Sequence, residues 1–343
     1  KGKMQLGHLE SAMQRSLELA LLGPAWGVNP QVGAVILDPT GRIVAEGYHK
    51  GSGTAHAEVM AIEDLKRSIP YPFAPGYTAL VTLEPCNHFG KTGPCAQALI
   101  DAGISRVVFP IKDPGHESSG GAQRLRENGV EVIEGVLREK AKEQARIWLT
   151  AKQLGRPFIT LKWASSLDGR IAAADGTSKW ISGEESRQDT HKLRRDVDAI
   201  LVGTGTVIAD DPELTARDAA GNYFEHQPLR VIMGEREIDK SKRVFNDKAQ
   251  TIQIRARNPQ VVLEELTRRE VKHLLVEGGS KIAAEFIRNN LVDEFVIYLA
   301  PMLLGGPRLA ISELGISSMS EALNLRITEQ KMLGPDVFIR ARR

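Results

Sequence analysis

The sequence predicts a chain of two α/β domains. Three observations carry that expectation. The length of 343 residues is a prior of about two domains at roughly 150 residues each. Helical apolar periodicity alternates with short apolar strands along the chain. Near the middle, Gly155-Arg156-Pro157 ends one long helical pattern before a fresh strand begins, because proline cannot continue a helix and restricts its predecessor. The expected domains are 1–150 and 151–343.

The elements follow in order. Leu9, Ala12, Met13, Leu17, Ala20 and Leu21 share one helical face, and Gly23-Pro24 ends that helix. Val32–Leu37 and Arg42–Tyr48, joined by Asp38-Pro39-Thr40-Gly41, read as a hairpin. Helices are expected over Ala57–Lys66, Cys95–Ala102 and Gln123–Glu127, and strands over Tyr77–Leu83, Arg106–Pro110 and Glu131–Ile133. This is the pattern of a three-layer α/β/α domain. One charged helix, Arg138–Leu154, anchored by Ile147 and Trp148, closes it. The second half offers strands at Phe158–Trp163, Asp198–Val202, Leu229–Met233, Thr251–Ile254, His273–Val276 and Glu294–Leu299. Helices are expected at Glu184–Arg195, Pro259–Arg269 and Lys281–Asn289, with two last strand candidates at Leu325–Ile327 and Val337–Arg340.

Composition excludes several classes. Hydrophobic residues are 42% and charged residues 26%, ordinary for a globular chain. A net charge of +2 with 5% aromatics argues against broad binding to nucleic acid. The longest apolar run, Phe295–Leu304, is interrupted by Pro301 and falls short of the ~18 residues of a membrane span. No secretory signal is visible, and Lys1-Gly2-Lys3 before Met4 reads as an added leader. Two cysteines make no disulfide framework. A reduced, cytoplasmic setting is expected, with no membrane and no nucleic-acid partner.

The sharpest chemical signal is His56-Ala57-Glu58, then Glu84-Pro85-Cys86 and Pro94-Cys95. One His and two Cys supply three ligands to a tetrahedral zinc and leave a position for water. Glu58, two residues from His56, suits the proton shuttle that zinc deaminases keep beside the metal but off it. The plain alternative is a pair of ordinary buried thiols. A structural zinc module normally takes four protein ligands, and three are apparent.

These residues resemble a family. Asn29-Pro30-Gln31-Val32-Gly33-Ala34-Val35, Gly47-Tyr48-His49, His56-Ala57-Glu58-Val59 and the run Glu84 to Cys95 are similar to the bifunctional riboflavin-biosynthesis deaminase/reductase. Eight residues separate Cys86 from Cys95 where related deaminases have two, and His88 and Lys91 lie inside that insertion. The resemblance implies a cytidine-deaminase-like domain that binds a phosphoribosylated diaminopyrimidinone through Asn29, His49, His88 and Lys91. Two departures stand out: Val28 precedes Asn29 where the family has Pro, and Asp113-Pro114-Gly115-His116 replaces Asp-Pro-Asn-Pro.

The second half continues the resemblance. Arg156-Pro157-Phe158-Ile159-Thr160-Leu161-Lys162, Ser165-Ser166-Leu167-Asp168-Gly169-Arg170, Trp180-Ile181-Ser182, the run Gly203 to Pro212 and Val276-Glu277-Gly278-Gly279 look like the reductase half. The resemblance implies a dihydrofolate-reductase-like fold, NADPH as cofactor, hydride reduction of the ribosyl chain to ribityl, and a homo-oligomer. It places Ala164, Trp180, Thr206, Asp210 and Gly279, Ser280, Lys281, Ile282, Ala283, Ala284 and Glu285 at the cofactor. It places Ser178, Arg194, Leu214, Arg217 and Glu277 at the substrate, with Lys162 a further candidate. Arg194 and Arg217 suit phosphate, which guanidinium pairs bidentately.

Read without the family, these stretches say less. Gly203-Thr204-Gly205 is not a dinucleotide fingerprint, since Ile208 holds the third glycine position. Gly278-Gly279-Ser280 suits a phosphate cradle or a plain strand-to-helix turn, and Asp210-Asp211-Pro212 suits a capped turn. His191, His226 and His273 match no motif and read as surface or packing residues.

Overall fold

The computed structural model describes residues 6–90, 93–179 and 181–343. It divides into two compact units, Lys1–Leu154 and Gly155–Arg343.

The first unit runs α1 (Leu6–Ala20), β1 (Gly33–Leu37), β2 (Ile43–Tyr48), α2 (Ala57–Lys66), β3 (Thr78–Val81), α3 (Cys95–Asp101), β4 (Arg106–Phe109), α4 (Gly121–Glu127), β5 (Glu131–Glu134), α5 (Arg138–Gln144) and α6 (Arg146–Leu154). Its sheet has the order β2-β1-β3-β4-β5. β1 is antiparallel to β2 and β3, and β3, β4 and β5 are parallel. All five residues of β1 are buried, which is the mark of a strand covered on both faces. Ala34 and Ile36 pack with Ala61, Leu65, Leu99 and Leu125 of α2, α3 and α4. Val35 and Leu37 pack with Leu9 and Met13 of α1. The unit therefore has the three α/β/α layers that its sequence implies.

The expected single helix Arg138–Leu154 is two helices. Ala145 caps the first with non-helical backbone, φ −94° and ψ 9°. Ala141 and Trp148, from either side of that break, both enter the cluster of Leu17, Leu83 and Ile111. Burying two anchors in one cluster decides the bend over the continuous helical propensity of the segment.

The second unit runs β6 (Phe158–Ser166), α7 (Glu184–Asp196), β7 (Ala199–Gly203), α8 (Thr204–Asp210), β8 (Leu229–Met233), β9 (Thr251–Ile254), α9 (Pro259–Arg268), β10 (His273–Gly278), α10 (Ser280–Arg288), β11 (Glu294–Ala300), β12 (Arg326–Leu333) and β13 (Asp336–Arg342). The sheet order is β12-β13-β11-β6-β10-β7-β8-β9. The six strands from β11 to β9 are parallel, and β13 and β12 add antiparallel at one edge. This order differs from that of the dinucleotide-binding doubly wound sheet, as the missing third glycine implies.

α9 and α10 cover one face through Leu263, Leu266, Phe286 and Ile287. Leu193 of α7 and Val207 of α8 pack with Ile200, Val202 and Leu275 in a second cluster. α8 has no counterpart in the sequence reading, because Gly205 and the β-branched Thr204, Thr206 and Val207 are weak helix formers. The closing strands are also longer than expected, since a tight turn with Gly334 at φ +56° lets them pair over their full length.

Candidate active sites and family membership

In the first unit, the start of α2 brings the sharpest residues together. His56 is its N-cap, and Glu58 lies in its first turn, buried. Cys95 opens α3, and Cys86 lies in the loop after β3. His56 Nδ1 is 3.1 Å from Cys95 Sγ and 3.7 Å from Cys86 Sγ. The ligand atoms of all three lie within 4.8 Å of one another. Zinc bonds of about 2.0–2.1 Å to nitrogen and 2.3 Å to sulfur at tetrahedral angles place N and S about 3.5 Å apart. The observed distances bracket that value, so the donor set fits zinc.

The thiol of Cys95, with the nearby imidazole of His56, holds Cys86 well below the usual thiol range, against the opposing effect of burial. The backbone N–H of Cys95 adds a donor at 3.3 Å, which favours a thiolate. Burial pushes Glu58 up to about 7. A carboxyl in that range suits proton transfer in both directions near neutral pH.

A cavity of about 420 Å³ lies over this cluster and is lined by Asn29, His49, His56, Glu58, Cys86 and His88, among others. His49 Nδ1 is 3.1 Å from the Ala55 carbonyl, and its Nε2 is 3.1 Å from Asn29 Nδ2. Nδ1 therefore donates to Ala55, and Nε2 accepts from Asn29. Burial lowers His49, consistent with this neutral ring. Lys91 lies outside the described residues.

Glu84, Asp113, Trp148 and Lys152 also line the cavity, and the sequence reading assigned none of them a site role. Glu84 is buried and accepts from the N–H groups of Asp113 and Ala122 at 3.1 Å each. It thereby ties the Asp113–Ser118 wall to α4. Its signal was its place within Glu84-Pro85-Cys86. The glycine of Asp113-Pro114-Gly115-His116 is built into that wall: a Cβ on Gly115 would stand 2.3 Å from Ser118 Oγ.

In the second unit, β6, α7 and β10 bring Lys162, Arg194 and Glu277 together. Arg194 bonds Glu277 bidentately, at 2.9 Å and 2.8 Å, and gives its third nitrogen to the Thr215 carbonyl at 3.1 Å. The fork expected to clamp phosphate is thus engaged within the protein. Burial alone would raise Glu277, but the charges of Arg194 and Lys162 overcome it and hold the carboxylate at about 2. Burial lowers Lys162, with Glu277 opposing. Arg217 has a buried Nε without a partner.

The cofactor candidates gather at the ends of β7 and β10. A Cβ on Gly279 would stand 3.3 Å from Thr206 Oγ1, and one on Gly203 would stand 2.8 Å from Ile282 Cγ1. Asp210 closes α8 and is raised by burial. Within the Gly279–Glu285 stretch, Ala283 packs into the core, Ala284 is buried, and Glu285 pairs with Arg288. That leaves Gly279, Ser280 and Lys281 at the helix start, where N–H groups lack intrahelical partners. Ala164 lies on β6 and packs beside Tyr298. Leu214 is buried with left-handed backbone at φ +58°, and Ser178 is half-buried. Trp180 lies outside the described residues.

Of the three histidines without a motif, His273 is buried against Thr160, and His226 bonds the Val197 carbonyl. His191 differs: it lies against the Thr215–Arg217 backbone beside Arg194.

Both units match known proteins. Residues 157–339 match the RibD C-terminal domain family, and residues 7–111 match the cytidine and deoxycytidylate deaminase zinc-binding region. The riboflavin biosynthesis protein RibD of Mycobacterium tuberculosis is 47% identical over 311 residues, covering 90% of each chain.

This chain belongs to the RibD family.

A solved structure from Thermotoga maritima, described as a diaminohydroxyphosphoribosylaminopyrimidine deaminase/5-amino-6-(5-phosphoribosylamino)uracil reductase, is 35% identical. It superposes with a TM-score of 0.89 over 98% of this chain and 99% of that one. Acinetobacter baumannii RibD, 33% identical, superposes with 0.90 at the same coverage. As a RibD, the chain is a bifunctional enzyme of riboflavin biosynthesis, a zinc-dependent deaminase and an NADPH-dependent reductase. The cytidine-deaminase-like and reductase folds expected of its two halves are those of the family. Among the described residues, no helix is long and apolar enough to cross a membrane.

Proposed function

We propose that residues 1–154 hydrolytically deaminate 2,5-diamino-6-(5-phosphoribosylamino)pyrimidin-4-one, and that residues 155–343 reduce the ribosyl chain of the resulting 5-amino-6-(5-phosphoribosylamino)uracil to ribityl. The observation that carries the first step is Glu58, buried beside the His56–Cys86–Cys95 triad yet outside it. His56, Cys86 and Cys95 would hold zinc, which would supply the activation of water. Glu58 takes a proton from that water and delivers one to the departing ammonia. Asn29, fixed by His49, orients the pyrimidine. His88 and Lys91 serve the substrate from the insertion between the cysteines.

For the second step, bound NADPH would supply hydride-transfer chemistry. Thr206, Asp210 and the Gly279–Lys281 turn serve the cofactor, joined by Ala164 and Trp180 on the family pattern. Arg217, whose buried Nε has no partner, takes the phosphate, and Ser178 and Leu214 border the sugar. Glu277 holds Arg194 and leaves Lys162 as the cation available to donate to sugar oxygens.

The test is the diaminopyrimidinone ribotide supplied with and without NADPH to the wild type and to Glu58→Gln. The variant should keep its zinc and lose deamination by about 100-fold or more, while reducing deaminated ribotide at the wild-type rate. Loss of both activities together would overturn the assignment of one reaction to each unit.

A further inference from the structure

Two residues of α7, one turn apart, hold the segment that precedes and includes Arg217. Arg194 donates to the Thr215 carbonyl at 3.1 Å. The Arg217 N–H donates to His191 Nδ1, also at 3.1 Å. The same Nδ1 lies 3.1 Å from the Thr215 carbonyl, and one ring nitrogen cannot both donate and accept. Donation from Nδ1 would leave the Arg217 N–H without this acceptor, whereas the Thr215 carbonyl keeps the Arg194 donor in either case, so the consistent assignment has Nδ1 accepting from Arg217 and the ring proton on Nε2. On its other side the segment is tied by Gln227, which bonds both the N–H and the carbonyl of Ala216 at 2.7 Å and 2.8 Å. The Phe224 N–H donates to the Ala216 carbonyl at 3.1 Å and the Asp218 N–H to the Asn222 carbonyl at 2.8 Å, so loss of the histidine bond would leave the segment anchored and remove only the acceptor of the Arg217 N–H.

We propose that His191 is a positioning residue of the reductase site: by accepting the Arg217 N–H at Nδ1, it sets the direction in which the Arg217 guanidinium meets the phosphate of the ribotide. The proposal rests on the reading of Arg217 as the phosphate group's partner. Two further observations accord with it. The buried Arg217 Nε has no hydrogen-bond partner within the protein, so it is left to a ligand. Burial and the charges of Arg194 and Arg217 hold His191 down at about 4, with the Thr215 carbonyl and then Glu277 opposing, so the ring is neutral at neutral pH.

The test uses the full chain loaded with zinc, with NADPH and 5-amino-6-(5-phosphoribosylamino)uracil as substrates. His191→Asn keeps an acceptor near the Nδ1 position, and His191→Leu removes it. His191→Leu should raise KM for the ribotide by about tenfold, the scale of one misplaced charge-assisted hydrogen bond. Its kcat should stay within about twofold and its NADPH affinity and deaminase activity should not change, while His191→Asn stays within about threefold of the wild-type KM. Combined with Arg217→Ala, His191→Leu should add nothing to the KM of Arg217→Ala alone, since both act through one side chain. Equal KM values for folded His191→Leu and wild type would overturn the proposal, as would additive losses in the double variant. If His191→Leu does not fold, the proposal stands or falls on His191→Asn, where a tenfold rise in KM overturns it. If Arg217→Ala itself leaves KM unchanged, the reading of Arg217 fails first, and that outcome is separate from the histidine variants.

Discussion

Arg194 and Glu277 face each other across the second unit as a two-armed ion pair, with side chains only 14% and 7% exposed. α7 supplies the cation and the end of β10 the anion, so the pair joins helix to sheet beside Lys162 of β6.

Removing one partner strands a buried charge. Arg194→Met should destabilise the second unit by about 3–5 kcal/mol, read from urea unfolding. The double variant Arg194→Met, Glu277→Leu should recover most of that loss, because two apolar side chains leave no uncompensated charge. A single variant within about 1 kcal/mol of wild type would show that solvent screens the pair.

The same cluster makes the second unit acid-sensitive. Glu277 is held at about 2 against an ordinary 4.5, so its stabilisation is present above pH 4.5 and is lost as pH falls toward 2. His191 is held at about 4 against 6.5. The unfolded chain binds that proton first, so stability also falls as pH drops from 6.5 to 4. Melting temperature should decline over both windows, and His191→Asn should flatten the upper one. An unchanged slope between pH 6.5 and 4 in that variant would assign the titration to another group.

Zinc should bind at one ion per chain. Cys95→Ser, which replaces a thiolate with a weaker hydroxyl ligand, should lower zinc content and abolish deamination while reduction of pre-deaminated ribotide continues. Metal analysis with both assays decides it. Full zinc occupancy in the variant would remove Cys95 from the ligand set.

Gly121 opens α4 beneath the loop that carries Cys86, and a Cβ there would stand 1.8 Å from the Pro85 carbonyl oxygen. Backbone cannot yield as a flexible side chain does. Gly121→Ala should therefore cost the first unit about 1–3 kcal/mol and weaken zinc retention against a chelator. NADPH binding should be untouched, which makes cofactor fluorescence the control.

Gly279→Asp adds a side chain against Thr206 and a negative charge at the start of α10. If phosphate approaches those N–H groups, NADPH affinity should fall by about tenfold or more while deamination is unchanged. Fluorescence titration measures it, and unaltered affinity in a folded variant would move the cofactor elsewhere.

The amino-acid sequence by itself determined the two-unit organisation, the order of most strands and helices, and the choice of His56, Cys86 and Cys95, whose side chains cluster. It did so because burial on two faces leaves apolar runs, Gly155-Arg156-Pro157 interrupts periodicity, and zinc chemistry demands particular residue types at His56, Cys86 and Cys95. It left the bend at Ala145 and the helix Thr204–Asp210 unread, since both depend on packing that overrides local propensity. Only the tertiary structure decided the partners of the charged groups. Arg194 and Arg217 look alike as isolated arginines, yet one is closed on Glu277 and the other has an unpaired Nε. His191 carries no motif, and its bond to Arg217 joins residues 26 apart in sequence. Hydrogen bonds of that span arise from how α7 lies against the segment between α8 and β8, and no local pattern of residue types encodes them.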